Sequence, residues 1–447
     1  MKSLAGAFAL VPGTVWACAL PPSVILLLPT GHYILGAALT VAMTAVLAAF
    51  SRRLPMLTPR PIYAGPSRFP FLLTSYLSFL TFLSLLVIGF YGPTDPVHNL
   101  LTLVIWTAVW IALPLACMLG GNLWAGFSPW FAPVRLMRAL TGRSGKAGLA
   151  RFGHWPAVAG LLAFSWFQII AMAPDDPTVL AQAALVYWAV IFVAAVAEGE
   201  DWLLQGEFLT VFMGMVARIA PFWRMREAGR MQAYVGWPGT QIIGMPPLVL
   251  AEMAFVTLAL AALTFDGLSE TFFWLGLIGE NPLEFTGRSA VQGVNTAGLL
   301  GVWAVTVAAI WAVFWLARRL DHTFSGARVV LSFLAIAAGY HAAHYLLTLM
   351  TAGQYTIAAL NDPLYQGDDF LSLPPFYVSY GFLTDGADMT LIYAAQFTAI
   401  LGAHLLAVIL ALRLAGRGRT IAHLPLTTLM VGYTVLGLWL LSTARGA

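Results

Sequence analysis

Ten long apolar runs, 31–50, 71–92, 98–119, 154–173, 178–197, 247–264, 296–316, 329–351, 389–412 and 424–442, divide this 447-residue chain. A hydrocarbon core about 30 Å thick takes roughly 20 residues of helix to cross. Inside it every backbone N–H and C=O must be satisfied within the protein, which a helix does unaided. The pattern therefore predicts an all-α fold, a polytopic membrane helical bundle of about ten transmembrane helices with the lipid bilayer as its first partner. At 60% hydrophobic and 9% charged residues, too little polar surface remains to solvate a soluble globule. No nucleic-acid partner is expected.

The charges between the runs are sorted by sign. Of the 22 Lys and Arg, 19 fall in five alternate connections: Arg52, Arg53, Arg60 and Arg68; Arg135, Arg138, Arg143, Lys146 and Arg151; Arg218, Arg224, Arg226 and Arg230; Arg318, Arg319 and Arg328; and Arg413, Arg417 and Arg419. The opposite connections hold 12 of the 19 Asp and Glu. Basic loops stay cytoplasmic, so the chain is expected in a bacterial inner membrane with both mature termini periplasmic and an acidic outer face.

Lys2, the apolar stretch Leu4 to Val15, and Ala17-Cys18-Ala19 fit a signal peptide over 1–19, leaving 20–447 as a single integral membrane domain; an uncleaved short first helix is the alternative. Cleavage leaves Cys117 as the only cysteine, which excludes an intrachain disulfide and a Cys-based metal motif. Three connections are long: 198–246, 265–295 and 353–388. Gly206 to Pro221 reads as an interfacial or re-entrant helix and Thr271 to Gly279 as a short segment across the outer mouth. The stretch 353–388, with five Asp and many aromatics, reads as a folded cap.

His341 and His344, three apart in run eight with Tyr340 and Tyr345 beside them, must face the bundle interior, because lipid cannot satisfy their ring nitrogens. His404 and Gln396 lie in the next run. Three imidazoles, His341, His344 and His404, with Asp266 or Asp362 would make a Zn-like divalent metal site that activates water. Interhelical hydrogen bonding explains the same residues without a metal, and haem ligation through His404 and one of the pair is a third possibility. Glu252 sits inside run six as a relay group or an ion-pair partner for a cytoplasmic Arg. Asp266-Gly267 and Asn361-Asp362-Pro363 have turn chemistry as their ordinary explanation, and in Asp95-Pro96 and Asp175-Asp176-Pro177 the Pro starts the next helix.

Several strings together resemble a family of bacterial polytopic membrane proteins known as fenitrothion hydrolase: Asp95-Pro96 with Asn99-Leu100, Gly121-Asn122-Leu123-Trp124 with Ser128-Pro129-Trp130, Ala217 to Pro221, Phe265-Asp266-Gly267, His344-Tyr345, Asp362-Pro363-Leu364, Gln396 with His404, and Gly437 to Ser442. The resemblance spans roughly 25–443. It implies hydrolysis of a small lipophilic organophosphate triester by an enzyme of two related membrane subunits. Leu331 and Leu412 stand where the family carries His, and Gln168 where it carries an acidic residue. On the enzyme reading, an outward-facing cavity between runs eight and nine uses His344, His404 and His341 as metal ligands or base, with Asp266 or Asp362 orienting a water. A cation- or proton-coupled transporter would use the same histidines with Glu252, although the sequence has no inverted repeat. A non-catalytic subunit of a membrane complex is the third reading.

Overall fold

The structure is a computed structural model that describes residues 30–50, 58–65, 71–227, 230–283, 287–374, 377–415 and 420–443. The expected signal peptide, Arg52, Arg53, Arg68, Arg417, Arg419 and Glu284 lie outside the described residues.

All ten runs are helical. Among the described residues, eight helices are long and apolar enough to cross a membrane, or nine if one bent pair counts as a span. In chain order the ten are α1 (Thr30–Phe50), α2 (Phe71–Tyr91), α3 (Leu100–Gly120), α4 (Trp155–Ile170), α5 (Pro177–Glu198), α6 (Leu250–Ser269), α7 (Arg288–Leu320), α8 (Gly326–His344), α9 (Gly386–Ala415) and α10 (Ile421–Ser442). At 16 residues, α4 rises only about 24 Å. Local chemistry sets the helix starts: Asn99 caps α3 by accepting from Leu101 N at 3.0 Å, and Asp176 caps α5 by accepting from Val179 N at 2.9 Å, with Pro177 as its first residue.

The centre of the bundle is α8 and α6, with 72% and 67% of their apolar windows buried, against 17% for α2 and for α7. The helices that carry His341, His344 and Asp266 are thus shielded from lipid, as ionisable groups at that depth require. Gly339 lets α9 close on α8: a Cβ there would strike the Ala403 side chain and stand 2.8 Å from the Ala399 carbonyl.

Several boundaries differ from the sequence reading, and two of them bear on the site. Helix α6 continues to Ser269, so Asp266-Gly267 lies within a helix. The turn reading fails because the Asp266 carboxylate is engaged by other helices and does not compete for its own backbone. Run eight divides: α8 stops at His344, Tyr345 intervenes, and a further helix, Leu346–Asn361, follows.

The stretch after α5 forms two helices, Glu200–Gly206 and Phe208–Ile219, bent by 67°. Its two ends lie on the same basic face. The Glu198 carboxylate at one end accepts from Leu149 N at 2.7 Å and Ala150 N at 3.3 Å in the connection between α3 and α4. Past the other end, Phe222 O lies 3.1 Å from the Cβ position of Gly121, whose φ of +82° suits glycine. Entering and leaving on one face makes the segment re-entrant. It is also internal, with Phe208, Phe212, Met213 and Val216 buried. Glu207, fully buried at the bend, caps the second helix by accepting from Leu209 N (2.8 Å), Thr210 N (2.6 Å), Thr210 Oγ1 (2.5 Å) and the Tyr187 hydroxyl.

A small antiparallel sheet on the basic face was not foreseen. Strand β1 (Arg60–Gly65) pairs with β3 (Arg230–Val235), which pairs with β2 (Phe222–Glu227), in the order β1-β3-β2. It exposes Arg60, Arg224 and Arg230 and buries Trp223 against Tyr234. On the other face, Thr271 caps Phe272–Leu277, and Trp274 Nε1 ties this short helix to Asn295 of α7 at 2.8 Å. The 353–388 stretch is folded, with Gln354 clamping Ser379 through two hydrogen bonds of 3.1 and 2.9 Å.

Candidate functional site

Near the acidic end of α6, the Asp266 carboxylate accepts from His344 Nε2 at 3.0 Å and from the Tyr345 hydroxyl at 2.7 Å, both through Oδ2. The same hydroxyl accepts from Gln168 Nε2 of α4 at 2.8 Å and from Trp110 Nε1 of α3 at 3.2 Å. Three helices, α3, α4 and α6, therefore converge on the Tyr345 hydroxyl, and α8 joins them through His344 on Asp266. The His344 and Asp266 side chains are 8% and 17% exposed, so little water competes for these bonds and each is strengthened by the low surrounding dielectric. Arg288, at the start of α7, closes the end of α4 by donating to Gln168 O at 2.9 Å and Ala171 O at 3.2 Å.

Trp110 lies in an unusual stretch. Val104–Ala112 is π-helical, a geometry that widens the backbone and is frequent at functional sites. Its ring meets His341 edge to face at 5.6 Å and 80°. His341 is almost fully buried between Trp110 and Phe212, and neither ring nitrogen makes a hydrogen bond of normal geometry. His344 stacks on Tyr340 at 5.5 Å and 15°. With its Nε2 on Asp266, its Nδ1 has no hydrogen-bond partner among the described residues.

The third histidine lies elsewhere. His404 Nδ1 bonds its own helix at Ile400 O, 2.8 Å away, while Gln396 Nε2 crosses from α9 to Ala343 O at 2.8 Å. His404 lines a chamber of about 20 Å³ with Tyr340, Thr264 and Tyr433. A separate chamber of about 10 Å³ is lined by Asp266, Tyr345, Gln168, Ser165 and Trp110. Each has room for about one water, and neither could hold a haem. Among the described residues, no group of three or more His, Cys, Asp or Glu is placed to hold a metal ion. His341, His344 and His404 do not form one donor set, and the His344 nitrogen nearest a carboxylate is already hydrogen-bonded to it. As arranged, these residues do not fit a Zn-like ion.

Asp362 is not joined to the histidines. Its carboxylate accepts from Gln366 N at 2.8 Å and Gly367 N at 2.7 Å, the turn chemistry its sequence suggests. Slight burial opposes its ionisation, but the N–H groups of Gln366, Gly367, Asp368 and Tyr365 outweigh that and hold its pKa below the usual carboxylate range. Glu252 caps α6 by accepting from Val249 N at 3.0 Å and stands 3.8 Å from His154 Nε2. Leu331 is fully buried in the apolar core, and Leu412 packs against that core. Gln168, by contrast, is part of the Asp266 cluster.

Of the cluster, His344 and Asp266 were site candidates from sequence, Tyr345 stood only as a neighbour of the histidines and Gln168 only as a departure from the family pattern, and Trp110 was not singled out. Gln168 had a signal: it is the only amide side chain in run four. Trp110 had none, because its importance depends on the π-helical register of α3. No protein-family model, curated protein or solved structure matches this chain.

Proposed function

We propose that this multi-pass membrane protein hydrolyses small lipophilic phosphotriester-type esters, with His344 as general base and Asp266 as the group that orients it. The observation that carries the reading is the Asp266 carboxylate held between His344 Nε2 and Tyr345, which leaves His344 Nδ1 as a buried lone pair. A carboxylate that fixes one imidazole nitrogen makes the other a directed base. In the proposed step, Nδ1 takes a proton from water as the water oxygen bonds to phosphorus. The phosphorus–aryloxide bond breaks, and a nitrophenolate leaves with its electron pair and needs no acid. The ester reaches the site from the bilayer, where it partitions, and the helices around the small chamber separate to admit it. The bacterial inner membrane, cytoplasmic basic loops, periplasmic mature termini and a related membrane subunit belong to the same proposal.

The test is nitrophenolate release from a dialkyl 4-nitrophenyl phosphate by protein purified in detergent and by protein in vesicles. Turnover by the wild type, lost in His344→Gln and Asp266→Asn with unchanged folding, is expected. A folded wild type without turnover in both preparations would refute the reading.

The size of the chambers favours a second reading, proton-coupled transport, because they suit water and protons better than an ester. It predicts proton flux in sealed vesicles that Asp266→Asn abolishes; vesicles that hold a pH gradient equally well with and without the protein would count against it.

A further inference from the structure

The two small chambers lie against the same helix, α6, and share one wall residue, Leu263. Asp266 borders the first and Thr264 the second. His404 is 2% exposed. Because its Nδ1–H is committed to Ile400 O, its Nε2 is left as an acceptor, buried without a partner among the described residues, and His404 is a lining residue of the second chamber. A buried acceptor of this kind is costly unless a donor reaches it. The chamber supplies room for one, and Thr264 and Tyr433, whose hydroxyls donate to Leu260 O and Thr306 Oγ1, are among its lining residues.

The chamber also says which donor fits. Its walls come from α6, α8, α9 and α10, and among the described residues that line it His404 is the only titratable group apart from Tyr340 and Tyr433, with no carboxylate or cationic side chain. A metal ion or imidazolium there would be an uncompensated charge in an apolar setting. A neutral O–H donor has no such cost. Tyr340 forms the partition toward the base: its ring stacks on His344, and it is slotted between Gly267, whose Cβ position its hydroxyl fills, and Gly437, whose Cβ position lies 3.5 Å from that ring.

We propose that the chamber at His404 is an internal water-binding site, in which one water donates to neutral His404 Nε2, and that it feeds the Asp266 chamber through movement of the Leu263 side chain. His404 is then neither metal ligand nor proton carrier but the residue that holds water in reserve beside a site closed to bulk solvent. The supply role rests on the acid–base reading of Asp266 and His344; the water site does not.

The experiment is water-edited solid-state NMR of ¹⁵N-histidine-labelled protein in lipid vesicles, with signals assigned by their loss in His404→Gln and His344→Gln. In the wild type, His404 is expected to receive magnetisation from water and to stay neutral from about pH 6 to pH 8, across the ordinary histidine range. A dry His404, or one that becomes imidazolium in that interval, would overturn the water site without requiring any variant to be active. Leu263→Ala should speed transfer from water to His344 and Leu263→Phe should abolish it. Identical transfer in both would overturn the path. Failure of nitrophenolate release alone would sink the hydrolase reading and leave the water site standing.

Discussion

Replacing Tyr345 with Phe would remove one oxygen and three hydrogen bonds while keeping the ring that packs against His341 and His344. The bonds lost are those with Asp266 at 2.7 Å, Gln168 at 2.8 Å and Trp110 at 3.2 Å. Interhelical hydrogen bonds in membranes average about 0.6 kcal/mol and reach about 1.7, so three of average strength sum to about 1.8 kcal/mol. The bond to Asp266 involves a charged acceptor, and such bonds are worth about 1.5–3 kcal/mol. Two bonds of average strength together with this one give an expected loss of about 3–4 kcal/mol, roughly a 150- to 900-fold shift in the unfolding equilibrium. Gln168→Met breaks only one of the three and should cost about 0.6 kcal/mol. Reversible unfolding by SDS in mixed micelles, followed by circular dichroism, measures both. If Tyr345→Phe costs no more than Gln168→Met, the hydroxyl is not the junction of these helices, and the reasoning from convergent donors is wrong.

Glu207→Ala should destabilise by at least about 2 kcal/mol, combining a lost N-cap of about 1 kcal/mol with the unsatisfied buried Tyr187 hydroxyl; Glu207→Gln should cost less in the same titration. Gly339→Ala should cost about 1–3 kcal/mol through overpacking, and a second change, Ala403→Gly, should restore part of it, since the tightest contact of the added methyl is with the Ala403 side chain. The turn at Asp362 should be pH-sensitive. Because its folded pKa is depressed, its contribution is present above the ordinary Asp pKa and is lost as pH falls through the lower, folded value. Protease cleavage between residues 362 and 371 should rise on acidification in that interval, and Asp362→Asn should remove the pH dependence.

Hydropathy alone located the ten helices, because an apolar run of about 20 residues has few alternatives in a bilayer. The sheet escaped for the opposite reason: β1 and β3 stand far apart in sequence, and nothing local to Arg60–Gly65 announces its partner. Asp362 behaved as its neighbours suggested because its partners are its neighbours. Asp266 did not, since what holds it are His344 and Tyr345, brought close only when α6 packs beside α8. The histidine spacing was informative about depth but not direction. His341 and His344 diverge because one is packed between Trp110 and Phe212 while the other is drawn to a carboxylate.

The π-helical stretch in α3 makes chain length a property of the site. Such a segment closes wider turns than an α-helix and accommodates extra chain. Losing one residue between Val104 and Ala112 would remove that surplus and draw the segment toward α-helical geometry, in which each residue turns the helix by about 100°. Asn99, which donates to Ile88 O and Pro93 O, anchors one end, and Gly121, closed in by β2, anchors the other. With both ends fixed, the surplus is taken up in the middle, where Trp110 presents its N–H to Tyr345. A one-residue deletion would thus re-aim the indole without changing any amino acid that touches the cluster.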